Sequence, residues 1–326
     1  MDETSLEVET AILAALQASV LCERVRSDLA GRQFLLKKDR SPVTVADYGS
    51  QALICKLIKD KFPEDPIVAE EDSKELRRPD RSSILEQVTS YVDALIPASS
   101  PEVCSWIDFG SNSVSDRFWT LDPIDGTKGF LRGDQYAIAL ALIKKGRVIL
   151  GILACPNLHS DVRHPSGEKG CLFLALKGKG AVQMDRRGAN KRPISVSKVS
   201  TPSDAVITES VEPDHADRLA HRRLAEKLNI SKPPLRMDSQ AKYGIVARGE
   251  VALYLRMPSP SEPGYKENIW DHAAGAIIAE EAGGRVTDIV GRSLDFSSGT
   301  RMEKNYGILV SNGMLHEVVL KALEMG

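Results

Sequence analysis

The residues FWTLDPIDGTKGF, Phe118 to Phe130, decide how the chain is read. The apolar run Phe118–Leu121 has the composition of a buried strand, and it delivers two carboxylates, Asp122 and Asp125. Pro123 between them fixes its own φ and stiffens the backbone. Gly126 admits conformations that few other residues tolerate. The expectation is a strand end, a tight turn and a helix start. Two carboxylates on a stiff turn suit hard divalent cations, which take several oxygens at short range. The amides of Gly126 and Thr127, at a helix start, suit an anion. Metal and phosphate sites would then be contiguous. The competing reading of DPIDGT alone is an Asx-turn with surface aspartates.

Upstream, Leu6 to Leu29 carries apolar residues at helical spacing and reads as a core-packing helix ended by Gly31. Pro42 makes the next approach extended, and Thr44 is a candidate N-cap. Asp47 then falls in a first helical turn, where a lone acid is ordinarily a surface partner of the helix dipole. Pro66–Ala69 is a short strand running into Glu70, Glu71 and Asp72. Strand C-terminal edges are where sheet enzymes place ligand groups. Beyond it the spacing predicts a helix around Ile84 to Leu95 and a loop over 108–117.

Downstream, Tyr136–Ile143, Arg147–Ala154, Cys171–Leu176 and Ala181–Met184 are apolar runs joined by short Gly-containing turns. That pattern predicts an antiparallel sheet. After Pro193 strands and helices alternate, which suggests a smaller layered α/β unit. The expected division is a metal- and phosphate-binding domain over 1–194 and a second domain over 195–326. In the second, Trp270–Ala282 reads as a helix ended by Gly283–Gly284, with Asp271 in its first turn and small residues Ala273, Ala274 and Gly275 beside it. A poorly solvated acid there needs a cation or hydrogen-bond partners. His272 reads as a packed or hydrogen-bonded histidine.

The bulk numbers fit a soluble enzyme: 326 residues, 42% hydrophobic, 27% charged, net charge −2. Basic residues are spread along the chain, against a nucleic-acid footprint. The five cysteines, widely spaced and without a CxxC pair, fit reduced thiols in a reducing compartment, hence a cytoplasmic location. No secretory pattern is expected at the N-terminus, and no apolar run is expected to approach the ~20 residues of a membrane span.

Asp47, Glu70–Glu71, DPIDGT (122–127) and Trp270–Asp271 followed by Gly283–Gly284 occur in an order and spacing that resembles the magnesium-dependent, lithium-sensitive phosphatases, the superfamily of inositol monophosphatase and fructose-1,6-bisphosphatase. SPVTVAD (41–47), WTLDPIDGTKGFLRGDQYA (119–137), LNIS (228–231), DSQAKY (238–243), YLR (254–256) and IWDHAAG (269–275) look like the fungal and plant 3′(2′),5′-bisphosphate nucleotidases, from about residue 10 to the C-terminus. Segments 73–117 and 257–268 depart from it, the first shorter and the second slightly longer.

The resemblance implies an α+β fold, a layered αβαβα sandwich. It implies hydrolysis of adenosine 3′,5′-bisphosphate to AMP and phosphate, and action on 3′-phosphoadenosine 5′-phosphosulfate, a nucleotide of sulfate assimilation. It implies two to three Mg²⁺: one at Glu70, Asp122 and the Ile124 carbonyl, a second at Asp122, Asp125 and Asp271, a third near Asp47 and Glu70. Asp47 and Thr127 would orient the attacking water and accept its proton, and the Gly126 and Thr127 amides would hold the phosphoryl oxygens. Ser239, Lys242, Arg256 and His215 would face the nucleotide, Lys242 and Arg256 taking the 5′-phosphate. A monomer acting on a small nucleotide, with neither nucleic acid nor membrane as partner, is expected. Three rivals stand beside this: an inositol phosphate phosphatase, a non-catalytic nucleotide sensor, and a metal-stabilised structural protein.

Overall fold

The computed structural model describes residues 3–28, 35–36, 42–43, 45–111, 113–165, 167–211, 218–258 and 264–324. Thr44, Gly31 and His215 lie outside the described residues.

Helix α1 (Glu3–Asp28) is followed by the short pair β1 (Leu35–Leu36) and β2 (Pro42–Val43), then α2 (Val45–Lys61) and β3 (Ile67–Ala69). Part of α1, Ser5–Asp28, is long and apolar enough by length and composition to cross a membrane, a run the sequence reading did not expect; half of that window is buried in the fold. Its apolarity comes largely from an inner face of Ala11, Ala14, Ala15, Ala18, Leu21, Cys22 and Val25, all fully buried. Helices α3 (Ser82–Asp93) and α4 (Ser100–Asp108) follow. The second occupies a stretch for which no helix was predicted. Its start is a capping box between Ser99 and Glu102 with Pro101 in the first turn, a legible S-x-x-E signal.

Strand β4 (Arg117–Asp125) sits beside β3 in parallel, and β5 (Ala137–Lys144), β6 (Arg147–His159), β7 (Lys169–Leu176), β8 (Ala181–Asp185) and β9 (Arg192–Pro193) follow as antiparallel neighbours in one seven-stranded sheet. Both faces of the sheet are covered. On β5, Ile138, Leu140 and Leu142 pack toward α1 and α2, while Ala137, Ala139 and Ala141 pack toward the other side, which is why the strand reads as a continuous apolar run.

The second half forms a five-stranded mixed sheet from β10 (Ile207–Glu209), β11 (Leu235–Arg236), β12 (Leu253–Arg256), β13 (Arg285–Thr287) and β14 (Ile308–Ser311), in the order β11-β10-β12-β14-β13. Helices α7 (Ala241–Ala247) and α8 (Ala273–Glu281) pack between the two sheets; α6 (Arg218–Lys227) and α9 (His316–Glu324) cover the outer face. The result is the expected αβαβα order. The middle layer is tight. A Cβ on Gly151 would stand 2.4 Å from Ile277 Cγ2, and one on Gly244 2.5 Å from the Phe173 ring. The α7–α8 contact is equally close, with a Cβ on Gly275 2.4 Å from the Tyr243 ring.

Candidate active site

The predicted turn at Pro123 is instead a β-bulge. Strand β4 runs on to Asp125, and its register against β5 shifts between Asp122 (opposite Ala139) and Asp125 (opposite Ala137). Side chains alternate faces along a strand, so residues at odd separation point apart. The extra residue of the bulge corrects this and re-aims the second carboxylate, so that Asp122 and Asp125 both line one cavity of about 360 Å³. The Ile124 N–H donates to Asp122 Oδ1 at 3.1 Å, and Ser50 Oγ to the Pro123 carbonyl at 3.1 Å, holding the bulge.

Gly126 then takes φ 86° and starts α5 (Thr127–Arg132). A Cβ there would meet Ser239 Cβ at 3.0 Å, and Ser239 itself has φ 67°. Two left-handed residues from the two halves of the chain meet at the cavity wall, and strain of this kind clusters at functional sites. Thr127 Oγ1 donates to the Ile124 carbonyl at 3.1 Å.

Of the residues predicted for the site, Glu70, Asp122, Ile124, Asp125, Gly126, Thr127, Ser239, Lys242, Arg256 and Asp271 all line this cavity. Asp47 stands behind its wall, 1% exposed in the first turn of α2, so it is not the solvated dipole partner that such a position usually holds. Burial pushes the Asp122 carboxyl well above the usual carboxylate range, reinforced by the charges of Glu70, Asp125, Asp271 and Asp47. Those influences place five acids in one electrostatic neighbourhood. Asp271 is pushed up to about 6 by burial, against the pull of Arg256 and His272. An oxygen-only set of this kind fits hard divalent cations, which would be held by Glu70, Asp122, Asp125, Asp271 and the Ile124 carbonyl.

The same cavity is lined by cations. Lys242, 3% exposed, is lowered to about 8 by burial, although Asp125 opposes the shift. Its Nζ donates to the Met237 carbonyl at 3.1 Å and lies 5.3 Å over the Tyr254 ring. Arg256 Nε donates to Glu267 Oε1 at 2.8 Å. Glu267, Asp271 and His272 bring ligand atoms within 4.8 Å of one another, but Arg256 already neutralises that group. Burial would raise the Glu267 carboxyl, yet Arg256 and His272 together hold it down to about 2.

Gln240, Tyr265 and Arg301 are among the lining residues that were not predicted for the site. Gln240 donates its backbone N–H to Asp125 Oδ2 at 2.5 Å and its Nε2 to the Trp270 carbonyl at 2.9 Å, while its Oε1 accepts from Gly275 N at 3.1 Å. Tyr265 and Arg301 line the cavity as exposed side chains. The predicted Trp270–Ala282 helix is also broken. Ile269–Asp271 is a 3₁₀ turn, and α8 begins only after His272 at φ −137°, which turns Asp271 into the cavity.

Comparison with known proteins agrees with this geometry. Residues 3–325 match the inositol monophosphatase family. A 3′(2′),5′-bisphosphate nucleotidase of Oryza sativa is 45% identical over 337 residues, covering 98% of this chain and 93% of its own. One from Dictyostelium discoideum is 42% identical over 322 residues, covering 96% and 95%. The solved Thermotoga maritima inositol monophosphatase superposes with TM-score 0.65 at 23% identity, covering 98% of this chain and 97% of its own, and so shares the fold. With its sandwich architecture, its bulged aspartate strand and its acid-lined cavity, the chain belongs to the inositol monophosphatase family.

Proposed function

We propose that this chain is a phosphomonoesterase that removes the 3′-phosphate of adenosine 3′,5′-bisphosphate, giving AMP and phosphate, and that it also accepts 3′-phosphoadenosine 5′-phosphosulfate. The observation that carries the reading is one cavity lined by both signs of charge. The acids Glu70, Asp122, Asp125 and Asp271 and the cations Lys242 and Arg256 all face it, in a chain 45% identical to a bisphosphate nucleotidase. A substrate with two phosphates can use both sets of groups; a monophosphate uses one.

Glu70, Asp122, the Ile124 carbonyl, Asp125 and Asp271 would hold two to three Mg²⁺, Asp122 serving more than one, and the bound metal would supply Lewis acidity toward the phosphoryl group and lower the pKa of a water. The chain's own residues do the rest. Thr127 Oγ1 donates to the Ile124 carbonyl before substrate binds, and its lone pairs accept from the attacking water and orient it. A threonine hydroxyl is a poor base alone, so Thr127 acts as a relay: as Oγ1 takes the water's proton, its own proton leaves the Ile124 carbonyl and passes to the Asp47 carboxylate. The Gly126 and Thr127 amides hold the phosphoryl oxygens. Arg256 and Lys242 grip the 5′-phosphate, the guanidinium through its planar fork, and Ser239 adds a hydroxyl. His215 is placed with these nucleotide contacts by resemblance. The division at 194/195 assigns the metal ligands up to Asp125 to the first domain and the nucleotide contacts, with Asp271, to the second.

The test is phosphate release from adenosine 3′,5′-bisphosphate, the phosphosulfate nucleotide and inositol 1-phosphate, each with MgCl₂ and with a chelator. Magnesium-dependent release from the two nucleotides is expected. Release from inositol phosphate alone would overturn the substrate assignment, and binding of nucleotide without release would make the chain a sensor.

A further inference from the structure

Arg256 does not stand alone in the cavity lining. Its Nε donates to Glu267 Oε1 at 2.8 Å, and the other oxygen of the same carboxylate, Oε2, lies 3.2 Å from His272 Nε2. His272 Nδ1 in turn pairs with the Tyr243 hydroxyl at 2.8 Å. Tyr243 and His272 are buried, and the Glu267 side chain is 12% exposed. With Glu267 ionised, both its partners donate: Arg256 through Nε–H and His272 through Nε2–H. His272 Nδ1 then accepts from Tyr243. The chain of bonds runs from the rigid α7–α8 contact, where Tyr243 packs on Gly275, to the guanidinium at the cavity.

We propose that Glu267 is a positioning residue for recognition of the phosphate that is not cleaved: it clamps Arg256 by one oxygen, is itself oriented through His272 by the other, and so fixes the plane of the guanidinium toward a second phosphoryl group. The inference rests on the reading of Arg256 as the 5′-phosphate contact. An arginine side chain has several rotatable bonds, and bidentate recognition requires its fork in one plane. A carboxylate can accept from two donors at once. A glutamine amide has a single oxygen and would turn an N–H toward either Arg256 or His272. The Glu267 carboxylate lies within 4.8 Å of the Asp271 oxygens, but its hydrogen bonds go to Arg256 and His272. Its loss should therefore appear chiefly in the grip on the second phosphate.

The experiment compares kcat and KM for adenosine 3′,5′-bisphosphate and for 3′-AMP in the wild type, Glu267→Gln, Arg256→Met and the double variant, with thermal unfolding of each. The expected result for Glu267→Gln is a KM for the bisphosphate raised about tenfold, kcat within about twofold, and kcat/KM for 3′-AMP within about twofold. The double variant should discriminate between the substrates no worse than Arg256→Met, because one residue acts through the other. Equal losses on both substrates in folded Glu267→Gln, or losses that add in the double variant, would overturn the clamp and leave Glu267 a structural ion pair. Should Glu267→Gln not fold, Glu267→Asp keeps the charge while withdrawing the carboxylate from one donor, and it is read by the same ratio. If Arg256→Met itself loses equally on both nucleotides, the error lies in the 5′-phosphate assignment. If the wild type releases phosphate from neither, it lies in the functional reading. Either result removes the clamp with it.

Discussion

The backbone N–H of Gln240 donates to Asp125 Oδ2 at 2.5 Å, across 115 residues of chain. The last acid of the bulged strand is thus positioned by the residue immediately before α7, in the other half of the molecule. The same Gln240 side chain holds the Trp270 carbonyl and the Gly275 amide, so one residue fixes the spacing between Asp125 and Asp271.

Gln240→Ala should therefore do more than loosen packing. It removes two buried side-chain hydrogen bonds and leaves their partners unsatisfied, at a cost of about 2–3 kcal/mol. Urea unfolding reads the stability. A metal titration read by protection against unfolding should show weaker binding of Mg²⁺, since two ligands lose their common tether. Lost stability with unchanged metal protection would show that Asp125 and Asp271 hold their places independently.

Asp122→Asn keeps the shape and the acceptor for the Ile124 N–H but removes the most crowded negative charge in the cavity. Activity should fall by about a thousandfold or more, the scale of a lost metal contribution. Folded stability in chelator should rise, because the remaining acids repel one another less. A variant retaining more than about a tenth of the wild-type kcat would refute a bridging role, one decade being only about 1.4 kcal/mol.

His316 carries a pH signature distant from the cavity. It is fully buried between Thr287 Oγ1 at 2.9 Å and Ser311 Oγ at 2.8 Å, and burial, with help from Arg285, lowers it to about 4. The unfolded chain binds a proton near pH 6.5 and the folded chain does not until about 4. Stability is therefore fully present above about pH 7 and declines as pH falls through that interval. His316→Gln should flatten this part of the Tm-against-pH curve; an unchanged slope would assign it to other groups.

Lithium should inhibit in competition with magnesium. Li⁺ accepts the same oxygen ligands with half the charge, so it can occupy one of the positions at Asp122, Asp125, Asp271 or Glu70 once product phosphate helps to neutralise the cavity. Inhibition should be uncompetitive or mixed toward nucleotide, shift with added MgCl₂, and exceed that of KCl at matched ionic strength. Equal inhibition by KCl would reduce the effect to screening.

Much of this was legible because it is local. The apolar run before Asp122, the alternation through β5 to β8 and the acids at strand and helix ends are one-dimensional patterns, and each emerged as an element or a cavity wall. What stayed hidden depends on pairing. Asp122 and Asp125 share a face only through a bulge, which is defined by register against β5. Asp47 looks like any acid in a first helical turn until its helix is buried. Glu267 looks like a loop acid until Arg256 is found beside it. The start of α4 was legible in Ser99–Glu102 and was passed over because the surrounding segment is polar. Conversely, the Trp270–Ala282 periodicity ran straight through the break at His272, since a 3₁₀ turn leading into an α-helix keeps nearly the same apolar spacing.

The contacts at Gly151, Gly244 and Gly275 leave no room for even one carbon more between the middle helices and their neighbours. Layers meshed this closely cannot slide past one another without lifting apart, which would expose the core they share. Substrate entry and product exit are then expected through the cavity, whose lining includes the exposed Tyr265 and Arg301, without the layers behind it coming apart.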